Sequence, residues 1–232
     1  MNFSIIIPLY NEEGNIKILC DEILREINKL DKHIFEIILV NDQSKDETLK
    51  TIIEIKNEHP KLVKVINNLE NCGQSKSLLN GILASKYDDI ITLDGDLQND
   101  PSDLPNLINN YVLNSDISLI GGIRVKRKDN IIKRITSLIA NNFRSALLKD
   151  NCSDTGCGLK IFNKKIFLRL PFFDGIHRFL PALFKGYDQK TLFINVNHRS
   201  RLKGLSKYGT LRRLVYGLID TYKVYKIINK PK

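Results

Sequence analysis

Four short apolar runs, each closed by a polar cluster and separated from the next by a helix-patterned stretch, restrict this chain more than any other feature. They are "FSIIIPLY" (3–10), "IFEIILVND" (34–42), "LVKVIN" (62–67) and "DIITLD" (89–94). Between them, Ile16, Leu19, Ile23 and Ile27 give residues 13–30 the spacing of one helical face, and 46–58 and 74–87 also read as helices. Runs that are apolar without alternation have both faces covered, which points to a parallel sheet between two helix layers. The fold class expected is therefore α/β, a mostly parallel sheet flanked by helices.

In such sheets ligands bind beyond the carboxyl ends of the strands. The polar clusters "PLYNEE", "VNDQS", "NLENCGQSKS" and "LDGDLQND" all fall at those ends. They converge on one edge, which is the predicted site. The second half is less regular. "DISLIGGIR" (116–124) reads as a fifth strand, "GLKIFN" and "TLFINVNHR" as shorter ones, and 131–148 and 211–228 as amphipathic helices. In the last helix Leu211, Leu214, Val215, Leu218, Ile219 and Tyr222 share one apolar face.

Charge divides the chain. Residues 1–116 carry 11 Lys+Arg against 20 Asp+Glu, and residues 117–232 carry 25 against 6, giving the net charge of +10. A basic second half points to a polyanionic partner: nucleic acid, a membrane surface or a phosphorylated substrate. Nucleic acid is disfavoured, because the basic residues lack interleaved stacking aromatics and "NCGQSKS" is not a phosphate-binding loop of the P-loop type. No run approaches the ~18 apolar residues of a membrane span. The N-terminus "MNFSIIIPLYNEEG" lacks the basic start of a secretory signal. Cys20, Cys72, Cys152 and Cys157 form no CxxC pair and are expected to be reduced thiols of a cytoplasmic protein.

Asp94 and Asp96 stand at i and i+2, and Gln98 completes an all-oxygen set suited to Mg²⁺ or Mn²⁺. Gly95 lets the backbone turn between them. Turn or capping acids are the ordinary alternative. Asp42 could accept from a base N–H or cap the next helix, a task Ser44 or Asp46 could also perform. Pro8 and Tyr10 could line a base pocket, and Glu12 could take a ribose hydroxyl or serve as a first-turn helix acid.

With "IPLYNEE", "VNDQSKDET", "LDGDLQNDPSDLP", "GGIR", "SDTGCGLKIF" and "HRSRLKGLSKYG" in order, the chain resembles the family-2 glycosyltransferases of GT-A (Rossmann-like) fold. Within them it resembles the dolichol-phosphate mannosyltransferase-like, or polyprenyl-phosphate sugar synthase, branch. The resemblance implies a catalytic domain over 1–204, with a nucleotide-sugar and metal half (1–116) and an acceptor half (117–204), followed by a basic amphipathic helix over 205–232. It implies that Pro8, Tyr10, Glu12 and Asp42 hold the nucleoside of a GDP- or UDP-linked sugar, and that Asp94, Asp96 and Gln98 hold the metal on its diphosphate. Arg124 would approach the phosphates, in a block the family usually writes "GSR". Arg201 and Lys207 match the basic pair that clamps phosphate. Leu138 stands where relatives often carry arginine, a role that passes to Arg134.

The activity implied is metal-dependent, inverting transfer of a hexose such as mannose or glucose to dolichyl or undecaprenyl phosphate, at the cytoplasmic face of a membrane. A phosphate acceptor is already anionic and needs no general base, whereas a saccharide hydroxyl acceptor would need a carboxylate. Asp154 is the best candidate for one, and also a plausible turn residue. The last helix, with Arg212, Arg213, Lys223, Lys226, Lys230 and Lys232, can lie on an anionic membrane surface or pack its apolar face on the domain or on a second copy of the chain.

Overall fold

A computed structural model describes residues 1–125, 143–200 and 210–229. Seven strands form one sheet: β1 (Asn2–Leu9), β2 (Ile34–Asn41), β3 (Val63–Asn67), β4 (Asp89–Thr92), β5 (Ile117–Arg124), β6 (Lys160–Asn163) and β7 (Lys190–Val196), in the order β3-β2-β1-β4-β6-β5-β7. β1 pairs in parallel with β2 and β4, β2 with β3, and β5 with β7; β6 alone runs the other way, antiparallel to β4 and β5. The expected mostly parallel α/β sheet is what the chain forms, with the strands of its second half continuing the same sheet.

The period-two geometry of a strand divides the core into two layers. Phe3, Ile5, Ile7 and Leu9 of β1 and Ile37 and Leu39 of β2 face α1 (Ile16–Ile27), α2 (Thr48–Glu58) and α4 (Leu104–Leu113). Ile6, Ile38 and Val40 face α3 (Gln74–Ala84) and the connection between β6 and β7. That connection holds two short helices, α5 (Lys164–Phe167) and α6 (Leu180–Gly186), which pack Phe167 and Phe184 on Phe162 of β6. Neither helix is long enough to leave a readable period in the sequence.

In the last helix, α7 (Thr210–Ile228), side chains are described from Gly217 on, so Leu211, Leu214 and Val215 of the predicted apolar face lie outside them. Thr221 and Val224 are buried, while Leu218, Ile219 and Tyr222 of the predicted apolar face are exposed. The helix expected over 131–148 is described only over 143–148. All four cysteines are free thiols.

The strand directions bring the segments after β1, β2, β3, β4, β5 and β7, together with the one entering β6, to a single edge of the sheet. There Leu9 is level with Asn41, Asn41 with Asn67, and Thr92 with Lys160.

Candidate active site

The acids sit just past β4, in a loop closed by its own side chains. Asn99 accepts from the backbone N–H of Asp94 (3.2 Å), and Asp96 accepts from that of Gln98 (3.2 Å). Leu97 buries its side chain at the cost of a left-handed backbone, φ 61°. Left-handed non-glycine residues also follow β1 (Asn11, φ 55°) and β2 (Gln43, φ 58°), so three adjoining strand ends share a conformation that side chains disfavour. Two glycines set the fit. A Cβ on Gly95 would lie 2.5 Å from Leu9 Cδ2, and one on Gly158 would lie 2.4 Å from the carboxyl carbon of Asp94. The acid loop therefore lies directly on the end of β1, and the Asp94 carboxylate rests on the bare backbone of Gly158.

Asp94 is half-buried and accepts from Gln74 Nε2 at the start of α3 (2.8 Å). Burial, and then repulsion from Asp96, push its carboxyl up to about 6, against the pull of Lys160, Arg124 and Gln74. Two repelling carboxylates beside an amide form an all-oxygen set whose charge a hard divalent cation would relieve, so these residues fit Mg²⁺ or Mn²⁺. Among the described residues no three His, Cys, Asp or Glu side chains cluster at metal-binding distance. A shell completed by substrate phosphates is consistent with that partial donor set.

Asp42, 4% exposed, anchors the loop between β3 and α3: its Oδ1 accepts from Asn68 Nδ2 (2.8 Å) and the Cys72 amide (3.0 Å), and its Oδ2 from the Gly73 amide (2.9 Å). Burial raises its pKa, but donors from Asn68, Cys72 and Ser77 outweigh that and hold it below the ordinary range. Capping near the start of α2 falls instead to Asp46, which accepts from the Thr48 amide at 3.1 Å. Oδ2 of Asp42 retains a lone pair for a ligand. Glu12, half-buried, receives Asn15 Nδ2 at 2.7 Å, and its own amide donates to Thr48 Oγ1. Pro8 and Tyr10 stand partly exposed at the end of β1, beside the acid loop.

Arg124 closes β5. Its Nε and a terminal nitrogen donate to the two Asp154 oxygens, each at 2.7 Å, and its amide donates to the same carboxylate at 3.1 Å. Asp154 is buried by this bidentate pair. Both of its oxygens accept from Arg124, a pairing that suits holding the guanidinium more than taking a proton from a saccharide hydroxyl. On the other flank, the Arg199 amide donates to the Gln98 carbonyl (3.0 Å), and the Arg199 guanidinium bridges Glu22 and Asp100 (2.6 Å each). The chain after β7 is thereby pinned to the acid loop. Arg134, Leu138, Arg201 and Lys207 lie outside the described residues.

The sequence reading passed over Gln74, Asn68, Gly158 and Lys160. Asn68 and Gln74 fall within the polar strand end "NLENCGQSKS", where the sequence does not distinguish one polar residue from the next. Lys160 is 4% exposed and donates to the carbonyls of Thr155 and Cys157, so it braces the loop that carries Gly158. Its signal was a lysine inside an otherwise apolar strand.

A mostly parallel sheet whose carboxyl edge carries an Asp-x-Asp pair and an arginine clamped by Asp154 is the GT-A arrangement that the resemblance implies. The chain belongs to glycosyl transferase family 2, whose model matches residues 4–170. It is 30% identical over 220 residues to an undecaprenyl-phosphate 4-deoxy-4-formamido-L-arabinose transferase of Pectobacterium carotovorum subsp. carotovorum, covering 94% of this chain and 66% of that protein. It is likewise 30% identical over 225 residues to a dodecaprenyl-phosphate galacturonate synthase of Rhizobium johnstonii, covering 95% of this chain and 66% of that protein. The chain thus spans about two thirds of the length of these relatives. Its fold is shared with glucosyl-3-phosphoglycerate synthase from Mycobacterium tuberculosis, solved with Mn²⁺, uridine diphosphate and glucosyl-3-phosphoglycerate (TM-score 0.73, 20% identity, 95% of this chain and 79% of that one).

Proposed function

We propose that this protein transfers a sugar from a nucleotide-sugar to a polyprenyl phosphate. The observation that carries the reading is the Asp94–Asp96 edge facing Arg124, whose carboxylate partner is spent on positioning it. Such a site supplies charge rather than a base, which suits an acceptor that is already an anion. The relatives named for undecaprenyl- and dodecaprenyl-phosphate products support the same acceptor class.

In the proposed reaction Asp42, Pro8, Tyr10 and Glu12 hold the nucleoside. Asp94, Asp96 and Gln98 hold the divalent cation, which when bound supplies positive charge to the departing diphosphate. Arg124, joined by Arg134, Arg201 and Lys207, draws the acceptor phosphate in against its own repulsion from the donor. A phosphate oxygen attacks the anomeric carbon, the bond to the nucleoside diphosphate breaks, and single displacement inverts the configuration. The donor is UDP- or GDP-linked and the sugar a hexose, with mannose and glucose tested first.

A lipid acceptor requires access to a bilayer. No helix among the described residues is long and apolar enough to cross one. The exposed Leu218, Ile219, Tyr222 and Tyr225, with Lys223 and Lys226 on the same helix, suit peripheral contact with an anionic surface.

The test is transfer itself. The protein is incubated with undecaprenyl or dolichyl phosphate and labelled donors carrying mannose, glucose, galacturonate or formamido-arabinose, with and without EDTA. Label that enters the lipid phase from one donor, only with metal, and is lost in Asp96→Ala supports the reading; if that donor is formamido-arabinose, the acceptor class stands and the hexose is replaced by a pentose. Label that enters only a soluble glycan overturns it.

A further inference from the structure

Four consecutive residues at the start of α3 touch the site in turn. The amides of Cys72 and Gly73 donate to Asp42, the Gln74 side chain donates to Asp94, and Ser75 Oγ lies 2.8 Å from His177 Nδ1. On the proposed function, Asp42 marks the nucleoside and Asp94 the diphosphate. His177 is thereby tied to the same short segment that touches both acids, and Asp174 of its loop lies 4.0 Å from where a Cβ on Gly73 would stand.

The tautomer of His177 follows from the needs of Ser75, which is fully buried. Ser75 Oγ already accepts from the Gly175 amide at 2.7 Å. Its hydroxyl proton must go to an acceptor, and among the described residues the only one in reach is His177 Nδ1. Nδ1 is therefore the acceptor and Nε2 carries the proton. Among the described residues Nε2 has no partner, and the imidazole is half-buried rather than sealed. Burial, then Arg178 and Lys160, push the ring's pKa down to about 3, so it stays uncharged at neutral pH. Lys160 also bears on Asp94, which places ring and acid in one neighbourhood.

We propose that His177 is a sugar-binding residue whose Nε2–H donates to a hydroxyl of the sugar being transferred. A fixed, neutral donor suits a hydroxyl; the charge that phosphates need comes from Arg124 and the cation. This assignment rests on the proposed function and adds a sugar contact to it.

The two side-chain amides separate the nitrogens of the ring. His177→Asn keeps an acceptor at the Nδ1 position for Ser75 and removes the outer donor. His177→Gln keeps a donor near the Nε2 position and gives up the Ser75 bond. Calorimetric affinities are measured for UDP-glucose, UDP-galacturonate and GDP-mannose, each against UDP or GDP, with Mn²⁺ and with the thermal midpoint as a control on folding. The advantage of the best nucleotide-sugar over its bare diphosphate is expected to fall about 10-fold in His177→Asn and to be largely kept in His177→Gln, with diphosphate affinity unchanged in both. An Asn variant that behaves as the unaltered chain, or one that loses diphosphate and nucleotide-sugar equally, overturns the assignment and leaves the proposed function standing. Failure of the unaltered chain to bind any of these nucleotides overturns both.

Discussion

Gly158 and Asp94 are in contact because one of them has no side chain. Gly158→Ala would drive a methyl into the carboxylate, and the acid must swing aside. We expect Mn²⁺ affinity, read by electron paramagnetic resonance with nucleoside diphosphate present, to fall about 10- to 100-fold, as when a ligand's support is lost. Asp154→Ala leaves the Arg124 guanidinium without its partner; a stability loss of about 3 kcal/mol in urea unfolding is expected for a mostly buried pair broken on one side. In Asp154→Asn the charge goes while the shape stays. Acceptor KM should rise with the pH profile of kcat unmoved, whereas a base at this position would shift that profile. Asp94 gives a pH signature in the metal-free protein. Its pKa is raised from 3.8 to about 6 on folding, so the folded state holds the extra proton between those values. Stability therefore declines as pH rises through that window and levels off above it. Asp94→Asn should flatten this slope in thermal melts taken in EDTA. At this scale the sequence showed the acids and Arg124, because they punctuate apolar runs. It did not show that Asp42 spends most of its acceptor capacity on the loop after β3, since that bond joins residues about thirty positions apart.

The strands β1 to β5 and helices α1 to α3 were legible because each is a run of consistent pattern, and the structure places them within a few residues of the sequence reading. α5 and α6 were not, being four and seven residues long and held by aromatic packing on Phe162. α7 is the instructive case. Its apolar face was visible, but its burial was decided by tertiary packing: Asp220 is drawn to Arg178 at 2.9 Å, and Val224, one turn on, is buried in the core. Leu218 and Tyr222 are left 43% and 56% exposed. Replacing Leu218, Ile219 and Tyr222 together by serine should therefore cost little stability. Co-sedimentation with vesicles rich in anionic lipid should fall about 10-fold or more, while nucleotide binding stays unchanged. Vesicle binding that survives the triple change would remove this helix from the membrane contact.

Over the whole molecule, the division of charge becomes a division of labour. The acidic first half carries the strand ends proposed to hold the nucleoside and the metal, and the basic second half supplies β5, its arginine and the segment pinned beside the acids. Antiparallel β6 joins the halves by pairing with β4 on one side and β5 on the other, which brings Lys160 and Gly158 up to the acids. That joint was the least legible part of the fold, because "GLKIFN" gives a strand but neither its direction nor its neighbours. On the proposed function a divalent cation is held at Asp94, Asp96 and Gln98 against a nucleoside diphosphate. Crystals grown with Mn²⁺ and UDP or GDP, measured at the manganese absorption edge, test it most directly. An anomalous peak between the Asp96 carboxylate and the diphosphate is predicted; nucleotide bound with no anomalous signal at that edge of the sheet would contradict it.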